Sequence, residues 1–356
     1  MGRSLRHLRA LYSRLAFDLD KIKKGKYKTF FQLKNGFYND TVIIDGINKN
    51  NHKEFISDRQ YLKGHPWNGT FSAIIDNKLY LPYLLHSYSE NLPKTYFFKD
   101  KAGYLPIFSG KEISEYRDKV RISSKDLLPF LKRNVNTVFK HTHSSVGEGF
   151  YLLSFINNQW LLNNEIKTEE QVLKFLESLN NYILQEKIIQ ADYSNKINDS
   201  SVNTIRFQCA WNKEKKSFEV IRSFHRFGAN GQLVDNLGKG NGVLAYIDPK
   251  TGILLKEGVI NKNGQKVIVK EQDIFHSDSN IKLSGMEIER YRTVAEKIIE
   301  ISNSISFLRW IGWDVVITND GFKIIEANSR TTLDTIQQST GFFSEPWLED
   351  FFNKRT

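Results

Sequence analysis

Two carboxylates and an amide fall close together late in the sequence: Asp314 in the run GWDVVIT, and Glu326 and Asn328 in FKIIEAN. Asn319-Asp320-Gly321 lies between the two runs, and both have the apolar, β-branched character of strands. The spacing predicts a hairpin with a three-residue loop, with Gly321 in its left-handed position. That loop pairs Thr318 with Phe322, and counting back sets Asp314 across from Glu326. Side chains alternate along a strand, so Asn328 shares the face of Glu326. Two carboxylates at cross-strand distance repel and raise one pKa unless a cation or solvent compensates. Mg2+ takes one or two carboxylates, keeps waters and bridges to nucleotide phosphates, which is the chemistry such an oxygen cluster supports. The plainer alternative is a set of solvated carboxylates on an exposed sheet face.

Phosphate chemistry has a second candidate. Thr137-Val138-Phe139-Lys140 reads as a strand ending in a lysine, followed by HTHSSVGEGF and the apolar run FYLLSFI. The small residues Ser144, Ser145, Gly147 and Gly149 would let backbone N–H groups approach phosphate oxygens, while Lys140 supplies a point charge. A bare hairpin turn is the competing reading. The loop is neither a Walker A sequence nor a Rossmann fingerprint, and protein-kinase motifs are missing. A third group of charges comes from Thr204–Trp211 and Phe218–Phe227, which flank the polar turn NKEKKS. As a hairpin they set Arg206 on one strand and Arg222 and Arg226 on its neighbour. His141, His143 and His225 sit in polar strand or loop contexts, where surface or hydrogen-bonding roles outweigh a role as base.

The elements that hold these groups belong to an α+β or α/β chain. From residue 100 onward short strand-like runs alternate with helical patterns. Thr168 with Gln171 forms a capping-box pattern ahead of Val172, Phe175, Leu176 and Leu179, and YILQEKII follows as a short strand. A second helix is expected from Met286 through Tyr291, Val294, Ala295, Ile298 and Ile301. No internal repeat or low-complexity linker is visible. At 356 residues the chain exceeds a single core, so two or three packed subdomains are expected. With 40% hydrophobic and 26% charged residues the composition is globular rather than disordered. The single Cys209, in the strand-like TIRFQCAW, excludes a disulfide framework and fits core packing in a reducing compartment.

The ordered set Lys78 in DNKLYLPYLL, Lys140 before its Ser/Gly loop, LQEKI at 184–188 and WDVVITNDGFKIIEAN at 313–328 resembles the ATP-grasp superfamily. In more detail, SVNTIRF (201–207), RFGANGQLVDNLGKGNG (226–242), the FHSD run near His276 and GWD…IEAN resemble the ATP-grasp proteins encoded with sugar-transfer and capsule-biosynthesis genes. That group is related to α-L-glutamate ligases. The resemblance covers residues 75–345 and implies an α+β ATP-grasp fold, two subdomains gripping ATP, with an N-terminal helical, preATP-grasp-like segment. It divides the chain into residues 1–75 with a basic helix, 76–125 as the start of the module, 126–190 as a lid subdomain with the Gly loop, and 191–356 with the metal site.

Residue by residue, the resemblance implies that Lys78 and Lys140 hold the phosphates of ATP under a lid at 144–149. Gln185, Glu186 and Ile188 would line the adenine, and Asp314, Glu326 and Asn328 would hold Mg2+. Arg206 would stabilise the transferring phosphoryl group or orient the carboxylate, a role suited to its five-donor fork. Arg222, Arg226, Asp235, Asn236 and Arg330 are the candidates for the substrate side. The residues after the hinge, IIQADYSN, depart from the histidine-proline pair of the pattern and leave a ribose contact such as Asp192 unassigned. The family's GG element is loosened to GKGNG.

The activity implied is a carboxylate–amine ligase that forms an acyl phosphate and then an amide, on a sugar or amino-acid substrate of capsular or surface polysaccharide assembly. Its partners would be a small-molecule or saccharide carboxylate and an amine acceptor. An ATP-dependent phosphotransferase and a non-catalytic nucleotide-binding module are the alternatives. The net charge of +11 is concentrated in residues 1–35, which hold ten Lys/Arg against Asp18 and Asp20. No aromatic-basic interleaving recurs elsewhere, so no nucleic-acid partner is expected. Leu5, Leu8, Tyr12, Leu15, Leu19 and Ile22 repeat at helical spacing there. That apolar face either packs on the body or brings residues 1–30 to the inner membrane or a membrane-bound partner. No apolar stretch has the length of a membrane span and no signal peptide is evident, so a cytoplasmic location is expected, peripheral at the membrane in the second reading.

Overall fold

The computed structural model describes residues 16–64, 67–107, 111–116, 118–143, 148–235, 237, 242–262, 265–337 and 340–353. Contacts divide the chain into two compact units. One gathers Met1–Thr70, Asn212–Ser217 and Arg330–Thr356; the other comprises Phe71–Trp211 and Phe218–Ser329.

The larger unit contains two seven-stranded sheets. The first is built from β1 (Thr95–Asp100), β2 (Gly103–Pro106), β3 (Asn136–His141), β4 (Phe150–Ile156), β5 (Gln159–Leu162), β6 (Glu165–Lys167) and β7 (Tyr182–Glu186), in the order β2-β1-β7-β3-β4-β5-β6. Helices Ser124–Arg133 and Glu169–Ser178 lie against it, and both begin with capping boxes, Ser123 with Asp126 and Thr168 with Gln171. Their apolar faces, Leu127, Phe130 and Leu131 from one and Val172 and Leu176 from the other, share a core with Phe97, Phe139 and Leu184 of the strands.

The second sheet is built from β8 (Ile205–Asn212), β9 (Ser217–Phe227), β10 (Val243–Ile247), β11 (Leu254–Lys262), β12 (Gln265–Lys270), β13 (Trp310–Thr318) and β14 (Gly321–Asn328). Their order is β12-β11-β10-β9-β8-β13-β14, so both expected hairpins, β8–β9 and β13–β14, are present. Alternation gives this sheet two different faces. Ile205, Phe207 and Cys209 pair with Val315, Trp313 and Ile311, and all six pack with Tyr291, Val294, Ile298 and Ile301 of the helix Tyr291–Ser304. Each fully buried side chain of this size contributes about 1.5–3 kcal/mol over leaving it exposed. That helix starts at Tyr291 rather than at Met286, behind Arg290 in the left-handed conformation. The opposite face carries Arg206, Gln208 and Asp314.

The β13–β14 turn differs from expectation. Thr318 pairs with Gly321 and Ile317 with Phe322, so the loop is Asn319-Asp320 alone, and Gly321 does not have a positive φ. A bulge then absorbs the difference. Val315 pairs with Ile324 and Asp314 with Glu326, leaving Ile325 as the extra residue. The Asp314–Glu326 pairing is therefore correct, reached through a two-residue loop and a bulge.

Within the smaller unit, Phe37, Ile47 and Phe55 form a core with Val42 against them. The Gln337 side-chain amide takes both backbone groups of Ile56, at 2.8 and 3.0 Å, and Tyr61 donates to the Thr331 carbonyl at 2.8 Å. Residues 16–23 are helical. Of the six apolar positions expected along the basic helix, Leu5, Leu8, Tyr12 and Leu15 lie outside the described residues. Leu19 and Ile22 are exposed, and the helix turns Asp18 inward to Arg59 at 3.0 Å. No described helix is long and apolar enough to cross a membrane.

Candidate active site

One face of the first sheet, the segment after β7 and Ile325 of the second sheet line one cleft in the larger unit. From the first sheet, Val138 and Lys140 of β3 and Phe150 and Leu152 of β4 line it, with Lys140 opposite both Phe150 and Ile183. Glu186 at the end of β7, followed by Lys187, Ile188, Ile189 and Gln190, forms one wall. Ile325, the bulge residue of β14, and Leu233 form another. Of the residues named from the sequence, Lys140, Glu186 and Ile188 line this cleft. Gln185 is buried behind them, donating to the Thr95 hydroxyl at 2.9 Å, and its Oε1 is buried with no hydrogen-bond partner among the described residues. Asp192 does not line the cleft; it exchanges hydrogen bonds with Asn319, at 3.0 and 3.1 Å, while Asn195, Asp199 and Ser200 line it.

Around Lys140 the charges meet: Glu326, Lys78, Asp314 and Asp235 are all near enough to act on it. Asp314 receives Arg206 through both prongs of the guanidinium, Nε to Oδ1 at 2.5 Å and Nη2 to Oδ2 at 2.9 Å. Arg226 approaches the same carboxylate at 3.2 Å. Burial alone would raise the Asp314 pKa, but the two guanidinium groups outweigh it and hold the carboxyl at about 2. Arg226 also donates to the Thr204 hydroxyl and lies 3.5 Å from Asp235, whose carboxylate accepts both the Thr204 N–H and its hydroxyl. Burial pushes the Asp235 pKa up against the pull of Arg226. Arg222 bonds the Ile221 carbonyl, and Arg330 is exposed in the smaller unit.

Glu326 takes Lys78 at 3.2 Å. The turn carrying this lysine is fixed at both sides. Asp76 accepts the Ser329 N–H and hydroxyl at 2.7 and 2.6 Å, and the Lys78 N–H donates to the Thr142 carbonyl at 3.1 Å. Lys140 is near enough to feel both Glu326 and Lys78, and burial pulls its ammonium down to about 8. The compensation that the sequence assigned to a metal is therefore supplied here by Lys78, Arg206 and Arg226. Among the described residues no group of three or more His, Cys, Asp or Glu side chains is gathered to hold a metal. Asp314 and Glu326 face each other across the strands, and Asn328 follows two residues on, its Nδ2 buried without a partner among the described residues. Two carboxylates and an amide are hard oxygen donors of the type Mg2+ takes with nucleotide phosphates.

Of the loop after Lys140, Gly149 is described, and Ser144, Ser145 and Gly147 lie outside the described residues, as does Asn236 of the substrate side. Gly149 has φ +67, and a Cβ there would come within 2.9 Å of the Tyr182 hydroxyl, so the return into β4 requires glycine.

A family model for sugar-transfer associated ATP-grasp proteins matches residues 58–348. The chain belongs to this family. Its fold is the ATP-grasp fold, and ATP with Mg2+ is what ATP-grasp enzymes use. Among solved structures it is similar to the ATP-grasp ligase PsnB complexed with a minimal precursor, at TM-score 0.40 and 10% identity over 81% of this chain and 63% of that one. It is also similar to the VanG D-Ala:D-Ser ligase of Enterococcus faecalis, at TM-score 0.41 and 11% identity over 80% and 62%. A third is N5-carboxyaminoimidazole ribonucleotide synthetase of Thermus thermophilus, at TM-score 0.36 and 11% identity over 73% and 46%. The ATP-grasp chain thus spans less than two thirds of the length of each. Likenesses this distant bear on neither substrate nor reaction. No curated protein matches the chain.

The ATP-grasp motifs include one arrangement that residue types alone did not disclose. In SVNTIRF the sequence singles out Arg206, yet Asn203 and Thr204 hold both feet of the loop 228–235. The Asn203 amide oxygen accepts the Gly228 N–H at 3.1 Å, and Thr204 holds Asp235. The Gly228 carbonyl accepts from His276 at 2.7 Å, and Asp278 accepts the Asn230 N–H at 2.6 Å. Gln190, at the end of the hinge, receives the Asn203 N–H at 2.7 Å. SVNTIRF, RFGANG and FHSD therefore meet at one glycine. The signal was present in the sequence as three polar motifs without an assigned chemistry.

Proposed function

We propose that this protein is an ATP- and Mg2+-dependent carboxylate–amine ligase that makes an acyl phosphate and then an amide. The observation that carries this reading is the convergence of Lys78, Arg206 and Arg226 with Asp314 and Glu326 around Lys140, which lines a cleft together with the apolar side chains of Val138, Leu152, Ile188, Leu233 and Ile325. Val138, Leu152, Ile188, Leu233 and Ile325 would enclose the adenine, and Glu186 with the hinge backbone would meet its edge. Lys78 and Lys140 would bind the phosphates, with residues 126–190 as the lid subdomain. Asp314, Glu326 and Asn328 would hold Mg2+, which when bound neutralises charge on the phosphates and draws them into line. Arg206 fixes Asp314, and Arg226 with Asp235 faces the substrate side, where a guanidinium suits a carboxylate. No protein nucleophile is needed; the chain contributes positioning and charge neutralisation.

The substrate class we infer is a sugar or amino-acid carboxylate with an amine acceptor in surface polysaccharide assembly. The family's association with sugar transfer and the basic residues 1–35 support it, the latter suiting work at the inner face of a membrane. The test is Mg2+-dependent ATP turnover against a panel of amino acids and uronic acids, with Glu326→Ala as control. ADP and phosphate released with one substrate pair, and lost in the variant, is the expected result. AMP and pyrophosphate would overturn the mechanism.

A further inference from the structure

We propose that residues 19–34 of the smaller unit form a docking surface for an anionic lipid bilayer, with Leu19, Ile22 and Phe30 entering the interface and Lys23, Lys28 and Lys34 meeting the headgroups. The surface needs neither nucleotide nor metal, and only its purpose rests on the reading proposed for the cleft.

The helical segment 16–23 faces the opposite way from a helix packed on its own protein, which turns its apolar stripe inward. Here the inward residue is Asp18, whose carboxylate lies 3.0 Å from Arg59 Nε and accepts the Tyr27 hydroxyl at 3.3 Å. Leu19 and Ile22, one turn apart, are 56% and 44% exposed, and Lys23 beside them is exposed as well. Leu5, Leu8, Tyr12 and Leu15 precede them at the same spacing in the sequence. The helix Phe30–Asn35 repeats the arrangement. Its capping box of Thr29 with Gln32 buries the glutamine, while Phe30 is 78% exposed, with exposed Lys34 one turn on. Arg59 ties the two helices together, because the guanidinium that holds Asp18 also donates to the carbonyls of Leu33 and Lys34. The apolar side chains are thus presented to solvent on a fixed scaffold.

Charge decides the occupant. Residues 16–40 carry six lysines, Lys21, Lys23, Lys24, Lys26, Lys28 and Lys34, against Asp18, Asp20 and Asp40. Every one of these acids is engaged within the unit: Asp18 by Arg59, Asp20 by Lys21 and Lys24 at 2.9 and 3.0 Å, and Asp40 by Lys26 at 3.7 Å. Lys23, Lys28 and Lys34 are exposed and have no ion pair among the described residues. Large apolar side chains set among free ammonium groups suit the headgroup boundary of an anionic bilayer. There the apolar groups leave water, the lysine stems lie along the boundary and their ends reach phosphate. A neutral apolar partner would use the leucine, isoleucine and phenylalanine but gain nothing from the lysines.

The test is co-sedimentation of the full-length protein, without nucleotide, with vesicles of phosphatidylcholine alone and of equal parts phosphatidylcholine and phosphatidylglycerol. Binding to the anionic vesicles is expected to be at least about tenfold tighter than to the neutral ones, and to weaken as salt is raised. The triple variant Leu19→Ser, Ile22→Ser, Phe30→Ser keeps every charge and should lose about tenfold on anionic vesicles. Lys23→Gln, Lys28→Gln, Lys34→Gln keeps the apolar groups and should reduce the salt dependence. All six positions are exposed, so an unchanged urea midpoint is expected for both variants. Should the apolar triple variant not fold, Phe30→Ser alone carries the same direction of change. Binding to neither vesicle would give this face to a protein partner and overturn the proposal. Equal binding to both vesicles, or binding that the folded apolar variant leaves unchanged, overturns it too. ATP turnover read in parallel keeps the two ideas apart: a protein that binds vesicles without turning over ATP counts against the reading of the cleft and not against this surface.

Discussion

Lys140 carries the most informative proton in the cleft. Burial lowers its pKa from the ordinary 10.5 to about 8; Lys78 adds to the fall, and Glu326, Asp314 and Asp235 act against it. Between those two values the unfolded chain holds a proton that the folded chain has released. Stability therefore rises with pH across that window, and the penalty for burying the charge is fully present below pH 8. Lys140→Met is expected to stabilise the protein at pH 7 by about 1–3 kcal/mol while weakening nucleotide binding, the usual conflict between a functional charge and the fold. Phosphate favours the charged lysine, so ADP binding just above pH 8 should take up a proton. Asp314, held at about 2, and His225, pushed by burial to about 3, do not titrate in that range. Calorimetry in buffers of different ionisation enthalpy checks this. A binding enthalpy independent of buffer would mean that the lysine is already charged.

The β13–β14 hairpin shows how a strand pair can deliver the right partners by an unexpected route. A left-handed Gly321 in a three-residue loop would make Gly321→Ala cost about 1–2 kcal/mol. The structure instead gives Gly321 an ordinary φ, with nothing within 4 Å of where a Cβ would stand. Gly321→Ala should therefore be neutral or stabilise by about 0.4–1 kcal/mol, through the lost freedom of the unfolded chain. The urea midpoint, with its slope unchanged, measures the difference. The Asp314–Glu326 pairing was legible because alternation and a short turn leave few registers open. The bulge was not, because an extra residue in an apolar run leaves the pattern looking continuous, and Ile325 is one of several aliphatic side chains in FKIIEAN. The capping box at Thr168 was legible as a local signature, while the start of the helix at Tyr291 depends on Arg290 adopting a left-handed conformation that the sequence does not mark.

Contacts between distant segments set the limit of what could be read along the chain. Gln337 with Ile56, and Tyr61 with Thr331, join residues more than 250 positions apart and leave no periodicity behind. The same holds for Asn203, whose partners Ser194, Asn198 and Gly228 come from different elements. Core patterning carries further, as Cys209 shows. Read from TIRFQCAW as a packed thiol, it lies on β8 opposite Ile311, fully buried in the core beneath the helix Tyr291–Ser304. Burial pushes its pKa up to about 12, against a small opposing pull from Ser302. A thiol that is neither accessible nor ionised reacts only when the core around it opens. Labelling of this single cysteine by a disulfide reagent therefore reports unfolding of the larger unit, and a ligand that binds only the folded form must slow it. Mg2+ and ADP at a hundred times the dissociation constant contribute about 2.7 kcal/mol and so should slow labelling about a hundredfold, provided closing outpaces reaction. The same addition to Glu326→Ala should slow it far less. Labelling that is fast in the native protein would place the thiol in a locally opening region. Slow labelling that ignores nucleotide would mean that the cleft does not bind it.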